Sequence, residues 1–505
     1  MGAASIAVCL AVTVLGLVRL GSQPLRLDEA RTALLADAVL RTGVPRVRPD
    51  GPAMFGPMEM APNGLCVLHT PLQYYVGALG RRFGRGEAAL RLPFALIGIG
   101  AAWGAVALGD HLMPGSGPYV GVCFLQVPGL LLIRQARYYP LVFAARVFAM
   151  WSLVLGSWWI AALAGLVIAS AEWTGYLATL AASFVAAVLG SWPVTEALGL
   201  LSGLLVVAGW AWLRRNVEQP VPLHRDLVDG FLQAFWTYLW KLQCYLIPLI
   251  PVGIVAILMR PHVPLPLIAG LCWIMLAHVT MRSITPAVFT RYLAAAVPPG
   301  ALALGLLLAG IARESLPVAL ALSALLLATD VLHMGPLLLI PPRLARRLAF
   351  VRCPAGSYLT RQAPEDMPRR IRFPLWDFLL ELWRPPRLRV SALAAALPPG
   401  RVVVVGQTEA ATLQVAAPGV RVVPWGIDRE AELAWLNAHP PDFIVPGDVD
   451  RPQVAAARLP WSFTSRTVPG TDVLLANGES LERHVFTDRG LPCGVEVLER
   501  CTSSV

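Results

Sequence analysis

Charge is what this chain has least of. Asp, Glu, Lys and Arg make up 14% of its 505 residues, against about a quarter in a soluble domain. Hydrophobic residues make up 56% and mean hydropathy is +0.62, which excludes an ordinary water-soluble chain and predicts a polytopic membrane protein. Lysine is almost missing: Lys241 is the only one, so arginine carries the basic charge, a bias better ascribed to a GC-rich genome than to a chemical need. The eight cysteines show no CxxC or Cys/His metal spacing, and Cys9, Cys66, Cys123, Cys244 and Cys272 fall in the hydrophobic part or its first loop. Cys493 and Cys501 could pair in an oxidising compartment, which spacing alone does not decide. No GxGxxG follows the strand-like run ending at Gly406, and no GxSxG occurs, so neither a nucleotide site nor a serine-nucleophile acyltransferase is supported. Met1 to Leu20 lacks a positive n-region and reads as a first membrane helix rather than a cleaved signal.

What is present divides at the charge balance. From residue 395 onward nine Arg face thirteen Asp plus Glu, a balance of −4, so the remainder holds +14 of the net +10. A basic excess in the membrane part and its flanks suits topology, lipid headgroups or an anionic substrate, and gives no argument for nucleic acid. After the first segment, apolar runs of near-spanning length lie at about 88–109, 117–134, 138–164, 173–193, 195–213, 242–259, 264–281, 292–312 and 316–335. The stretches 138–170 and 226–241 each have room to hide a crossing, so about 10–12 transmembrane helices are expected. The shorter aromatic stretch 70–84 suits an interfacial helix or half-span. Residues 1–340 form the membrane domain, with a polar first loop at 21–70. Residues 341–394 are an Arg- and Pro-rich linker in which Trp376-Asp377-Phe378-Leu379-Leu380 predicts a short amphipathic helix. Residues 395–505 alternate strand and helix patterns (strands at 401–406, 420–424 and 442–445, a helix from Asp428 to His439), predicting a small three-layer α/β domain. Arg214-Arg215, closing an apolar run, reads as cytoplasmic by the positive-inside tendency.

The chemistry gathers around Leu27-Asp28-Glu29-Ala30-Arg31, where two adjacent carboxylates open a short amphipathic helix just after the first span. Asp28 can act as its N-cap, Leu34, Leu35, Ala38 and Val39 share a face, and Gly43 followed by Pro45 stops it. A carboxylate held at a membrane surface can take a proton from a hydroxyl while an apolar partner lies alongside. Three more clusters accompany it: Leu68-His69-Thr70-Pro71-Leu72-Gln73-Tyr74-Tyr75, Arg134-Gln135-Ala136-Arg137-Tyr138-Tyr139 and Phe289-Thr290-Arg291-Tyr292-Leu293. Arg134 and Arg137 lie on one helical face if a helix runs through both, and an arginine fork suits a phosphate. The plainer alternatives are that Asp28 only caps, that the arginines snorkel at helix ends, and that His69 and Tyr74 pack or sit in an interfacial belt.

Taken in order, these motifs resemble a family. Asp28-Glu29-Ala30 after the first span, Pro71-Leu72-Gln73-Tyr74-Tyr75 ending the first loop, and Glu87-Ala88-Ala89-Leu90-Arg91-Leu92-Pro93 opening the next helix are three of its marks. Arg134-x-Ala-Arg137-Tyr138 and Arg291-Tyr292-Leu293 complete the set, over about residues 5–312. They resemble the GT-C superfamily of glycosyltransferases that use lipid-linked sugars, on the branch of protein O-mannosyltransferases and bacterial aminoarabinose (lipid A) transferases. The resemblance implies a GT-C-type helical membrane domain with an α/β C-terminal domain, in a bacterial inner membrane, with the active site and that domain extracytoplasmic. It implies a polyprenyl (dolichyl or undecaprenyl) phosphate sugar donor, a hydroxyl-bearing acceptor (protein, lipid or glycan), a surrounding of membrane lipid, and no nucleotide. It implies Asp28, with Glu29 beside it, as the catalytic carboxylate, and Arg134, Arg137 and Arg291 as holders of the lipid phosphate. His69, Tyr74, Tyr138, Tyr292 and Glu196 are the accompanying substrate-binding candidates. The sequence departs from the family at Gln135, where Glu is common, and near Trp192-Pro193, where a His is common; Glu196 is the nearest acidic group there. Those departures weaken the case for a second carboxylate or a metal, and no resident cofactor is expected. The competing class is a transporter or flippase for an anionic lipid or lipid-linked sugar, which basic residues inside a bundle would equally suit.

Overall fold

The computed structural model describes residues 1–46, 60, 61, 63–67, 69–188, 193–215, 217, 227–285, 290–339, 373–383, 389–426, 429–447, 451–471 and 492–501. The chain is helical through the membrane part. The first span α1 (Ala3–Leu17) leads into α2 (Leu27–Thr42) and α3 (Leu72–Phe83), which pair in the first loop before α4 (Glu87–Leu112). The run expected at 117–134 is broken into α5 (Gly117–Leu125) and α6 (Val127–Arg134), bent by 72° at Gln126 with Pro128 in the first turn of α6. The long run 138–164 does hide a turn: α7 (Tyr139–Leu155) ends at Gly156 in the left-handed conformation, φ 58°, and α8 (Trp158–Ala171) returns along it.

There follow α9 (Trp173–Val188), α10 (Val194–Leu200), α11 (Gly203–Arg214), α12 (Gln233–Lys241), α13 (Leu249–Met259) and α14 (Leu265–Arg282). The membrane part closes with α15 (Val297–Glu314), α16 (Leu316–Ala328) and α17 (Val331–Leu339). A 3-10 segment, Thr290–Ala296, precedes α15. Four helical stretches among the described residues are long and apolar enough to cross a bilayer, six if each bent pair is one span; α1, α7, α8 and α16 are shorter apolar helices. α15 is the axis of the bundle. Its apolar window is wholly buried, and α5 crosses it so closely that a Cβ on Gly305 would lie 2.4 Å from the Val120 side chain.

Polar contacts sort the helix ends into two faces. At the first, Arg134 of α6 binds the last carbonyls of α1, Arg214 of α11 donates to the Val67 carbonyl (3.3 Å), and Arg282 ends α14 near Tyr292. At the second, Ser5 meets Asp110, Arg313 meets the Pro114 carbonyl, and His262 meets Glu314. The loop holding Asp28 and the Arg214-Arg215 turn therefore share a face. A cytoplasmic Arg214 and an extracytoplasmic Asp28, both expected from sequence, are incompatible.

Most of the linker lies outside the described residues. The amphipathic helix expected within it is α18 (Pro374–Trp383), which inserts Phe378 and Leu382 into the membrane-domain core and brings Trp383 under Arg19, 4.6 Å from the ring centroid. Beyond it, α19 (Arg389–Ala396), β1 (Val402–Gly406), α20 (Gln407–Ala416), β2 (Arg421–Trp425), α21 (Arg429–Ala438), β3 (Phe443–Ile444), α22 (Val454–Arg458), β4 (Phe463–Thr471) and β5 (Pro492–Arg500) build one sheet of order β2-β1-β3-β5-β4. The first three strands are parallel and β5 and β4 antiparallel. α19 and α20 cover one face of the sheet, α21 and α22 the other, giving the expected three layers. The full length of β5 stands between Cys493 and Cys501, roughly 26 Å at 3.3 Å per residue. A disulfide needs Cα atoms within about 7 Å, so that pair cannot close, and Cys501 is a free, exposed thiol. The domain does not stand apart. α20 packs on α2, with Ala411 and Val415 joining the membrane-domain core, so it lies on the Asp28 face.

Candidate functional site

α2 begins two residues earlier than a cap at Asp28 would allow. Arg26 occupies the N-cap position, and Glu29, three residues on, accepts from the Arg26 N–H at 3.4 Å. Gly43 ends the helix at φ 78°, as its position predicted. The side chain of Asp28, freed from capping, turns to two arginines. Its Oδ2 lies 3.0 Å from Arg291 Nη1 and 3.6 Å from Arg137 Nη2, while Arg137 Nη1 donates to the Asp28 carbonyl at 3.3 Å.

The adjacent carboxylate has a different fate. Glu29 is 1% exposed; Arg91 grips both its oxygens, Nε to Oε1 at 2.8 Å and Nη2 to Oε2 at 2.6 Å, and the Ala136 N–H adds 3.0 Å. Arg91 spends its remaining donors on the carbonyls of Leu20, Gln23 and Pro24, tying α4 to the chain between α1 and α2. Glu29 is thus a pin that fixes the height and rotation of α2. The expectation of a second reacting carboxylate beside Asp28 is corrected: its lone pairs are used by Arg91.

Arg134 is corrected likewise. Its Nη1 binds the carbonyls of Leu15 (2.7 Å), Gly16 (3.3 Å) and Val18 (2.9 Å) and its Nη2 that of Arg19 (3.2 Å), closing the C-terminus of α1. α6 ends at Arg134 and Gln135 is extended (ψ 136°), so no helix runs through to Arg137 and the two arginines do not share a face.

His69 joins the Asp28 group. Its Nε2 accepts from Arg137 Nη2 at 3.3 Å, which assigns the neutral ring with its proton on Nδ1. Tyr138 lies against the His69 ring (5.5 Å between centroids) and edge-on to Tyr139 (4.5 Å), and Tyr292 receives Arg291 and Arg282 at 5.8 and 4.7 Å. Tyr74 turns away: its hydroxyl meets Cys66 Sγ at 3.8 Å in a small cluster with Leu35 and Val39, so it packs the first loop. Glu196 is elsewhere altogether. It lies beside Gly156, 4.0 Å from where a Cβ would stand, at the far end of α7 from Tyr139. Seventeen residues of helix put about 25 Å between the two. The expectation that it binds substrate in this site is overturned.

Electrostatics follow from these partners. Burial pushes the Asp28 carboxyl up, but Arg137 and Arg291, with Arg31 and His69 adding, hold it well below the usual carboxylate range. Burial also raises Glu29, and the Arg91 fork outweighs it. Burial and the neighbouring Arg137 push His69 down, with Asp28 opposing, so it stays neutral. Sequence reasoning passed over Arg91, although it stands inside a motif it had singled out, and the Arg282–Glu172 pair at 2.7 Å. Each was visible as a charge bordering an apolar run. Among the described residues no group of three or more His, Cys, Asp or Glu is placed to hold a metal.

No protein-family model matches the sequence, and no curated protein does. Among solved structures, ArnT from Cupriavidus metallidurans in the apo state superimposes with a TM-score of 0.55 over 91% of this chain and 95% of that one, at 15% identity. The fold is that of ArnT. The same ArnT bound to undecaprenyl phosphate matches with a TM-score of 0.52, covering 99% of this chain and 98% of its own, again at 15% identity. The likeness to ArnT runs the length of the chain, C-terminal domain included, so the helical membrane domain followed by a small α/β domain expected from the motifs is present. The chain is an integral membrane protein.

Proposed function

We propose that this protein is a glycosyltransferase that moves a sugar from a polyprenyl phosphate to a hydroxyl acceptor with inversion. The carrying observation is Asp28 held between Arg137 and Arg291 on one membrane face. The ArnT fold, in a protein whose structure holds undecaprenyl phosphate, supports a donor of that class.

In this reading the isoprenoid lies among the helices and its phosphate meets Arg137 and Arg291. The acceptor oxygen attacks the anomeric carbon and passes its proton to Asp28. The bond from that carbon to the phosphate oxygen breaks, its electron pair stays on the phosphate, and the arginines stabilise the charge that gathers there. A carboxylate already paired with two arginines is a weak base. The donor phosphate competes for the same guanidiniums, loosens their hold on Asp28 and restores its basicity where the acceptor arrives. The catalytic face and the C-terminal domain are extracytoplasmic in this proposal. Arg214 is compatible with that side because it is spent on the Val67 carbonyl and on the Trp210 ring at 4.9 Å.

The test is transfer of labelled sugar from a polyprenyl phosphate donor by purified protein in nanodiscs, with a hydroxyl-bearing membrane extract as acceptor. Asp28→Asn should fall by about 100-fold or more while still binding the lipid phosphate. Near-wild-type turnover by Asp28→Asn overturns the assignment and favours a carrier.

A further inference from the structure

Behind the Tyr292 ring, away from Asp28, lies a second polar group that the proposed reaction does not use. Arg146, midway along α7, is 2% exposed, and its one described hydrogen bond runs from Nη2 to the Gly175 carbonyl at 3.0 Å. Its Nε and Nη1 are buried without a partner among the described residues. Arg282, 8% exposed, uses Nη2 on Glu172 and leaves Nε unpaired. His278 Nε2 donates to the Tyr292 carbonyl (2.8 Å), which fixes the ring beside the group, and the Tyr138 hydroxyl is buried without a partner as well.

The charges do not balance either. Glu172 is committed on every side: to Arg282, to the N–H groups of Thr174 and Gly175 at 3.0 and 2.7 Å, and to the Thr174 hydroxyl. It answers one guanidinium and, among the described residues, leaves the other without a carboxylate. An unpaired buried charge is costly, and so is each orphaned donor, so a site of this composition is stable when an acceptor-rich anion completes it. Tyr138 and Tyr292 link it to the centre: Tyr138 lies against His69 and beneath Arg137, and Tyr292 meets both Arg291 and Arg282.

We infer that Arg146, Arg282 and Tyr138 form an oxyanion subsite that receives a carboxylate carried by the donor sugar, so that the donors are acidic sugars of the uronate class. The group is enclosed by α7, α14 and the start of α9, within the bundle. Tyr138 and Tyr292 beside it also border Arg137 and Arg291, the residues assigned to the donor phosphate, which selects the donor's sugar over the acceptor. A carboxylate takes two guanidinium donors and a hydroxyl through its own lone pairs and supplies the balancing negative charge, which a neutral hexose lacks. The inference rests on the donor assignment made above.

The test measures equilibrium binding to the full chain in nanodiscs of three probes: undecaprenyl phosphate, its glucosyl ester and its glucuronosyl ester. The wild type should bind the glucuronosyl ester about tenfold or more tighter than the glucosyl ester. Arg146→Gln should weaken the glucuronosyl ester about tenfold more than the glucosyl ester, while Arg146→Lys, which keeps the charge, should retain most of the preference. No preference in the wild type, or a uniform loss for all three probes in Arg146→Gln, overturns the subsite. If Arg146→Gln does not fold, equal affinity of Arg146→Lys for the two esters overturns it. Failure of bare undecaprenyl phosphate to bind the wild type is a separate result that sinks the donor assignment itself.

Discussion

Asp28 and Glu29 are neighbours in sequence and opposites in the structure. Successive residues of a helix point about 100° apart, so one carboxylate faces the arginines of the centre while the next is clamped by Arg91. The sequence announces a carboxylate pair at the membrane surface but cannot say which member is which until Arg91, far along the chain, has a position. Arg137 and Arg291 were legible because a charge bordering an apolar run needs an anion. Arg134 misled because its anion is the row of carbonyls ending α1. The two arginines should therefore part company on substitution. Arg137→Ala should weaken undecaprenyl phosphate binding about 10- to 100-fold, and Arg134→Ala should instead lower the thermal midpoint with the affinity of the folded fraction unchanged, both read by titration and unfolding in detergent. A pH profile offers a third check. In the proposed reaction Asp28 acts ionised, and in the free protein its carboxyl lies below the usual range, so kcat/KM should hold level well into acid. Donor phosphate draws the arginines off and lets that carboxyl rise, so the acid limb of kcat should fall at higher pH than that of kcat/KM. Coincident limbs would contradict the competition for the guanidiniums.

At the scale of elements, apolar length located the spans and turn chemistry located some of their ends, as Gly43 and Gly156 show. The breaks were less legible. A bend at Gln126 or a switch to extended backbone at Gln135 is set by what the neighbouring helices offer, here the His333 Nε2 that meets Gln126 Oε1 at 2.7 Å, and composition is silent on that. Two contacts carry expected costs. Glu29→Gln leaves the Arg91 guanidinium buried without its carboxylate and should destabilise by about 3–5 kcal/mol. Because the folded Glu29 carboxyl lies below its unfolded value, the pair's contribution is fully present above about pH 4.3 and fades as pH falls through the folded value; the variant should lack that acid loss in denaturation scans. Gly305→Val sets two branched methyls where Val120 already stands and should cost about 1–3 kcal/mol by overpacking the α5–α15 crossing, seen as a lower midpoint.

Over the whole molecule, the class and the two-part plan were readable from hydropathy and charge, because a bilayer and water each impose their own composition. Which helix ends share a face was not, since charge near a span reports topology only when it is free. The contacts arrange Asp28, Arg214 and the C-terminal domain at one face and His262, Glu314 and the α1 N-terminus at the other. The exposed thiol of Cys501 and a His262→Cys thiol should therefore be reached by a membrane-impermeant maleimide from opposite sides of sealed vesicles; labelling of both from one side would refute the arrangement. The seat of α20 on α2 carries one more implication, which concerns time. A ribosome has completed Asp28 long before residues 407–416 leave its tunnel, so the first loop waits through the synthesis of nearly the whole chain before its outer wall arrives. A newly inserted membrane part in that interval holds its first loop without α20 against it, and the contact is completed only at the last stage of translation.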